Sequence, residues 1–215
     1  MAVMEIDHVV LAARGKTEAE EVLDQAGLGV ARGRTLPGLG LSNLVVPLRH
    51  GQILEVHYPN GETPAADAPP LLRFDTDALD THPAHTLIPM AWLVVIEDAA
   101  RLRDLAAAHD MSVIEAPAEG PEFPPYTLAG FGANFERRFL PCLIHWPQGQ
   151  PVLDAPHRRR PLGITGIDVA GPVGTIEDWC GGEPDGLRTL PGTSGPVRVT
   201  VGFAEGPPVT FGLPE

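Results

Sequence analysis

The feature that most constrains the fold of this chain is a repeated order of predicted elements: strand, helix, and three further strands. In the first copy, residues 5–13 are rich in β-branched side chains and predict a buried strand. A helix follows, beginning at a capping box of Thr17 and Glu20 and ending at Gly27. Three short apolar segments then predict strands, at residues 29–31, 43–47 and 52–58.

The same order returns in the second half of the chain. Residues 90–96 predict a strand, and Asp98 is a suitable N-cap for the helix that follows. The strands that complete this copy are predicted at residues 111–115, 134–140 and 142–146.

A third, shortened copy follows a linker with a basic run. It comprises a strand, a helical turn around Ile176, Trp179 and Cys180, and three more strands, with the strands predicted at residues 164–170, 187–190, 197–203 and 209–213. An internal repeat of this kind indicates one supersecondary unit used several times. We therefore predict an α+β protein whose βαβββ modules pack as one compact unit, with bounds at residues 1–60, 86–150 and 161–215.

Charge and composition exclude several classes of partner. The formal net charge is −13, so most of the surface repels a nucleic-acid backbone. The longest apolar run, residues 87–96, is half the length needed to span a bilayer, and the start of the chain lacks the pattern of a secretory signal. We expect a cytoplasmic protein without a membrane or nucleic-acid partner, in which Cys142 and Cys180 are buried thiols.

Four segments of the chain resemble the vicinal oxygen chelate superfamily, and within it the glyoxalase-like domain family of the glyoxalase, bleomycin resistance and dioxygenase type. They are IDHVVLA at residues 6–12, PGLGLSNLVVPL at 37–48, ILEV at 53–56 and LPCLIHW at 140–146. The resemblance implies paired βαβββ modules that form curved mixed sheets around a central cleft. It also implies that metal ligands come from the first and last strands of each module.

The resemblance suggests a metal site when the two copies are aligned by element order. His8 then stands opposite Trp92, and Glu55 stands opposite His145. The expected ligands are His8, Glu55 and His145, with Glu55 also in the catalytic role; two imidazoles and a carboxylate suit Fe, Mn, Ni or Zn. If the strand holding His145 shifts its register by one residue, His57 is the substitute ligand.

Other residues are candidates for the substrate pocket. Trp92, where four-ligand members of the superfamily have His or Gln, offers an apolar wall, and Asn43 and His57 lie in the strands that border the cleft. Arg137 and Arg138 alternate in the predicted strand 134–140, so one of them faces the cleft and binds a carboxylate or phosphate, unless it is a surface residue paired with an acid. Of the two, Arg138 is the candidate pocket residue.

Two functions follow from the resemblance. The first is a divalent-metal-dependent enzyme, a lyase, isomerase or dioxygenase, that acts on a small oxygenated substrate. The alternative is a metal-free protein of the same fold that binds a small molecule or sequesters an antibiotic. The two differ in whether His145 converges on His8 and Glu55, and in whether Trp92 lines the space between them. Exposed strand edges also make a homodimer a candidate assembly.

Overall fold

The fold is built on two modules that share one large sheet, seen in a computed structural model that describes residues 3–69, 77, 79–118 and 122–213. After a short strand β1 (Val3–Met4), the first module contains β2 (Ile6–Ala12), α1 (Lys16–Ala26), β3 (Arg32–Leu36), β4 (Leu41–Pro47), a 3-10 turn (Arg49–Gly51) and β5 (Ile53–Pro59). The second contains β6 (Ile88–Val95), α2 (Ala99–Ala108), β7 (Val113–Ala116), β8 (Tyr126–Ala129), α3 (Phe131–Glu136) and β9 (Cys142–His145).

The two modules repeat one pairing pattern, and together they form a curled eight-stranded sheet of order β3-β4-β5-β2-β6-β9-β8-β7. In each module the first strand runs parallel to the last, β2 beside β5 and β6 beside β9. The modules meet where β2 pairs with β6 in antiparallel fashion. The repeated βαβββ order predicted from the sequence is therefore confirmed for both modules.

Alternate side chains of the sheet enter two different apolar clusters. Val9, Leu11, Trp92, Val94 and Leu143 belong to the main core, which also holds the apolar faces of α1 and α2. Their neighbours along the same strands point to the opposite face, because successive side chains of a strand alternate. That second cluster includes Val10, Leu93, Cys142 and Ile144. The second face is the one that borders the cleft described below.

The C-terminal part of the chain adds a second sheet to the main core. Its elements are β10 (Pro161–Ala170), α4 (Val173–Cys180), β11 (Glu183–Pro184), β12 (Leu187–Leu190), β13 (Gly195–Phe203) and β14 (Val209–Gly212). The sheet order is β12-β10-β13-β14, while β11 pairs with β1. Ile167, Val199 and Val201 fill the main core from this sheet. Here the first strand lies between β12 and β13, so the pairing differs from that of the two modules.

Two of the three helix-end signals described above are confirmed. Asp98 caps α2 by accepting a hydrogen bond from the backbone N–H of Ala100 at 2.9 Å. Gly27 ends α1 in the left-handed region with a φ of 82°. The capping box of Thr17 and Glu20 is wrong, because Gly15 occupies the N-cap position without a side-chain hydrogen bond.

The predicted strand at residues 134–140 is also wrong. The strand of this region is β8, which lies between the predicted strands at 111–115 and 134–140, and residues 131–136 form the short helix α3. Gly130, with a φ of 82°, reverses the chain between them. Phe131 and Phe135 then pack edge to face one helical turn apart, with ring centroids separated by 5.0 Å. Within the described ranges, no helix is long and apolar enough to cross a bilayer.

Candidate functional site

A cavity of about 250 Å³ lies against the sheet face opposite α1 and α2, between the two modules. We call it the cleft. The wall from the first module is polar in its centre and carries His8, Arg34, Asn43, Glu55 and His57. Apart from the amide of Asn134, the wall from the second module is apolar and aromatic, and includes Leu93, Phe123, Tyr126, Phe131, Cys142, Ile144 and Trp146. An apolar pocket with a few convergent polar groups is the usual form of a small-molecule site.

A β-bulge at the start of β2 sets the position of His8. Against β6, Ile6 pairs with Val94 and His8 pairs with Leu93, so Asp7 is an extra residue in the ladder. A bulge redirects side chains locally, and here the imidazole Nδ1 of His8 lies 2.5 Å from the carboxylate Oδ1 of its neighbour Asp7. The His8 ring therefore turns its Nε2 toward the cleft.

Asp7 is itself held by two residues from the end of the second module. Its other oxygen, Oδ2, accepts hydrogen bonds from the indole Nε1 of Trp146 at 2.7 Å and from the amide Nε2 of Gln150 at 3.0 Å. The carboxylate is buried, with 1% of the residue exposed. Three donors around one buried carboxylate fix both its position and that of the His8 ring.

Glu55 is the centre of the polar wall. Its Oε1 accepts a hydrogen bond from Asn43 Nδ2 at 2.5 Å and lies 3.2 Å from His57 Nε2. Its Oε2 lies 3.8 Å from His8 Nε2, which is too long for a direct hydrogen bond. Glu55 and His57 share a face of β5 because they are two residues apart. Neighbouring side chains thus form one row across β2, β4 and β5, the polar row of His8, Glu55, Asn43 and His57.

The surroundings of Glu55 and His8 shift both of their pKa values. Burial opposes the ionisation of Glu55, but the imidazoles of His57 and His8 and the hydrogen bond from Asn43 outweigh it and hold the pKa of Glu55 far below its usual range. Burial also opposes a charge on His8, yet the hydrogen bond and charge of Asp7, with the charge of Glu55, raise its pKa above 6.5 despite the opposing effect of His57. Glu55 is thus ionised at neutral pH.

Two titratable side chains of the second module also line the cleft. The pKa of the Tyr126 phenol is raised by burial and by the carboxylate of Glu55, and Arg34 acts against this shift. Burial raises the pKa of the Cys142 thiol to about 12, so this cysteine stays protonated. The Tyr126 ring packs against Trp146, with centroids 5.1 Å apart.

The structure brings together four of the residues singled out in the sequence, His8, Asn43, Glu55 and His57. It turns two others away from the cleft. His145 points to the other face, where its Nδ1 lies 2.9 Å from the carbonyl oxygen of Ile96. Trp92 is fully buried in the main core and donates its Nε1 hydrogen to the carbonyl oxygen of Phe139 at 3.2 Å.

A one-residue difference in register explains both corrections. His8 pairs with Ile53 on the neighbouring strand, and in the second module Leu93 pairs with Cys142. Leu93 is therefore the counterpart of His8, and Ile144, two residues after Cys142, is the counterpart of Glu55. A shift of one residue moves every side chain of a strand to the other face.

Arg138 is a third correction. It follows α3 instead of standing in a strand, and its Nη2 lies 3.4 Å from the carbonyl oxygen of Met90. It lines a separate surface pocket beside Ser194 and Pro196 and does not line the cleft. The neighbouring Arg137 lies over the ring of Trp179, 5.3 Å from its centroid.

The residues of the cleft do not fit the metal centre that the resemblance implies. His145, one of the three expected ligands, lies on the other face of the sheet, against the carbonyl oxygen of Ile96. Its substitute His57 contacts Oε1 of Glu55 beside Asn43, whereas His8 approaches the other oxygen, Oε2. Among the residues that the structure describes, no group of three or more His, Cys, Asp or Glu side chains is arranged to hold an ion.

Sequence reasoning missed Asp7, Tyr126, Trp146 and Gln150. Asp7 stands beside His8 in the sequence, but strict alternation assigns it to the opposite face, and only the bulge brings the two together. Tyr126 lies in β8, a strand that the sequence pattern does not predict. Trp146 and Gln150 reach Asp7 from more than 130 residues away, and no local pattern indicates such a contact.

Comparison with solved structures shows fold-level similarity. The chain matches a mutant of 4-hydroxymandelate synthase from Streptomyces coelicolor with 15% identity and a TM-score of 0.52, over 83% of this chain and 52% of that one. Methylmalonyl-CoA epimerase from Mycobacterium tuberculosis matches with 12% identity and a TM-score of 0.43, over 68% and 87% of the two chains. These identities are too low to carry an activity from one protein to another.

Comparison at the sequence level gives the family. No curated protein matches the chain significantly. The profile described as "Glyoxalase-like domain" matches residues 6–177, which include both modules and the cleft between them. Together with the repeated βαβββ pairing in one curled sheet, this match shows that the chain belongs to the glyoxalase-like domain family and has the vicinal oxygen chelate fold.

Proposed function

We propose that this chain binds a small molecule in the cleft without the help of a metal ion, and that Glu55 and His8 anchor the polar group of that molecule. The observation that carries the proposal is the contrast between the two walls. The first module supplies the connected row of His8, Asn43, Glu55 and His57, whereas the second supplies apolar and aromatic side chains. Such a cleft suits a compact molecule with an apolar body and one polar end.

The metal-dependent prediction named His145 of the second module as a ligand, with His57 as its substitute. His145 does not reach the cleft, and the counterparts of His8 and Glu55 are the apolar Leu93 and Ile144. Aliphatic side chains do not bind a metal ion. The alternative that the sequence left open, a metal-free binding protein of the same fold, therefore has the stronger support.

The environment of Glu55 favours an anchoring role over a catalytic one. A general base works best when its pKa lies near the working pH. The pKa of Glu55 lies far below that range, because two imidazoles and an amide stabilise the carboxylate. A permanently ionised and rigidly held carboxylate is suited to orient a ligand through a charge-assisted hydrogen bond.

Benzyl alcohol is a suitable first probe, since it combines an aromatic ring with one neutral polar group. Protein NMR titration is expected to show saturable shifts at cleft residues. Leu93→Trp fills the cleft and abolishes these shifts, while Leu162→Trp, at a position with 37% exposure outside the cleft, leaves them intact. Shifts that are absent, or that persist in Leu93→Trp, would overturn the proposed binding site.

A second experiment tests whether binding is independent of a metal ion. Benzyl alcohol affinity is expected to be the same in chelator and after incubation with Fe(II), Mn(II), Ni(II) or Zn(II). Mass spectrometry of the protein and of His8→Ala and Glu55→Ala provides the readout. About one equivalent of metal in the parent protein, lost in both variants, contradicts metal-independent binding.

A further inference from the structure

We infer that the cleft is selective for an aromatic molecule that carries a protonated amine or amidine, and that it discriminates against aromatic carboxylates. This inference rests on the proposed function and narrows it to a ligand class. It comes from the geometry between His8 and Glu55, from the rings on the facing wall and from the distribution of charge along the polar row.

The carboxylate of Glu55 offers a hydrogen-bond acceptor beside His8. The Nδ1 of His8 faces Asp7, and its Nε2 lies 3.8 Å from Oε2 of Glu55, a carboxylate oxygen that can only accept. A ligand nitrogen beside this oxygen can lie about 2.9 Å from it. An ammonium or amidinium group then forms a charge-assisted hydrogen bond to Glu55, which is stronger than the bond that a neutral hydroxyl group forms.

The facing wall favours a flat cation. Tyr126 and Trp146 present rings to the cleft from the second module, together with Phe123 and Phe131. The faces of such rings attract cations as well as apolar surface. Phe123 already takes part in a contact of this kind, since the guanidinium of Arg32 lies 4.5 Å from its ring centroid.

Charge is unevenly distributed along the polar row. The carboxylates of Asp7 and Glu55 flank His8 at one end. Arg34 is in register with Asn43 and His57, at the other end of the row. An anionic group placed beside His8 would face Glu55, whereas a cationic group would be attracted to it. The formal net charge of −13 also favours the approach of cations at long range.

Three aromatic probes of similar size differ in the charge of their polar group. Isothermal titration calorimetry compares benzylamine, which is protonated at neutral pH, with neutral benzyl alcohol and anionic benzoate. We expect benzylamine to bind about tenfold more tightly than benzyl alcohol, the size of effect given by one hydrogen bond to a charged group. Benzoate is expected to bind more weakly than benzyl alcohol.

Variants test whether Glu55 and Tyr126 cause the preference for benzylamine. Glu55→Gln is expected to reduce the advantage of benzylamine to about twofold or less, because its neutral amide lacks the charge. Tyr126→Leu keeps the carboxylate but removes a ring, and is expected to weaken benzylamine more than benzyl alcohol. Glu115→Gln, which removes the same charge at an exposed position on β7, leaves the advantage unchanged.

The outcomes separate this inference from the proposed function. If benzyl alcohol binds in the cleft but benzylamine binds no more tightly, the selectivity is wrong and the binding site stands. The same holds if benzoate is the tightest ligand, or if Glu55→Gln keeps the full advantage of benzylamine. If none of the three probes binds, both proposals fall.

Discussion

The indole N–H of Trp146 donates to the carboxylate of Asp7 at 2.7 Å, and this contact links the end of the second module to the first strand of the first. The same carboxylate holds the His8 ring. The polar wall of the cleft therefore depends on a residue that belongs to the opposite module. Trp92 is buried as well, but its hydrogen bond lies inside the main core and does not support the cleft.

Replacing either tryptophan by phenylalanine removes one buried hydrogen bond. We expect Trp146→Phe and Trp92→Phe each to lower the free energy of unfolding by about 1–3 kcal/mol, measured by urea denaturation. Only Trp146→Phe is expected to change the NMR titration of His8, because only that indole contacts Asp7. An equal change of the His8 titration in Trp92→Phe contradicts the link.

Asp7→Asn tests the partner of His8 directly. The amide keeps the size of the side chain but lacks the negative charge that raises the pKa of His8. The charge of Asp7 favours the protonated imidazole, so the pKa of His8 is expected to fall in Asp7→Asn, measured by an NMR titration. Asp98→Asn, which changes a helix cap elsewhere, serves as the control. An unchanged His8 pKa in Asp7→Asn shows that the contact is not maintained in solution.

Glu55 is expected to make stability depend on pH in the acidic range. Its pKa is lower in the folded protein than its ordinary value of 4.5, so its contribution is fully present above pH 4.5 and is lost as the pH falls toward the folded value. The difference in unfolding free energy between the parent protein and Glu55→Gln should therefore be largest above pH 5 and shrink below pH 4.5.

Urea unfolding at a series of pH values measures this difference. Glu115→Gln is the matched control, because its exposed ion pair with Arg103 contributes little. A difference that stays constant between pH 3 and pH 7 indicates that Glu55 is not stabilised as a carboxylate in the folded protein.

A comparison of variants of His145 and His8 tests where the binding site lies. His145→Ala removes a half-buried contact with the carbonyl oxygen of Ile96 and is expected to cost about 0.5–1.5 kcal/mol of stability. It should leave the affinity for benzyl alcohol unchanged, whereas His8→Ala weakens binding several-fold. Calorimetry on both variants checks this, and a loss of binding in His145→Ala shows that β9 has a different register from the one described.

The sequence was sufficient for the order of the elements because each strand and helix carries its own apolar pattern. It was also sufficient to place Asn43, Glu55 and His57 at the cleft, because they lie in the regularly paired strands β4 and β5, where side chains alternate between the two faces. The same reasoning failed for Trp92 and His145. Aligning the modules by element order left an error of one residue, and in a strand that error exchanges the two faces.

Two features of the structure could not be predicted from the local sequence pattern. The bulge at Asp7 depends on how β2 pairs with β6, a strand more than 80 residues away. Arg138 lies between Phe135 and Phe139, aromatic residues that favour a strand, but Gly130 begins a helix in the left-handed region and Phe131 packs edge to face against Phe135. In both cases, contacts between distant segments or a glycine conformation override the local preference.

A crystal structure of the protein soaked with benzylamine, with anomalous data collected for transition metals, tests the central claim most directly. We predict density for the ring between Tyr126 and the polar row, with the amine nitrogen within hydrogen-bond distance of Glu55 Oε2, and no anomalous peak in the cleft. An anomalous peak bound by His8 and Glu55, or a cleft without benzylamine, would contradict the account.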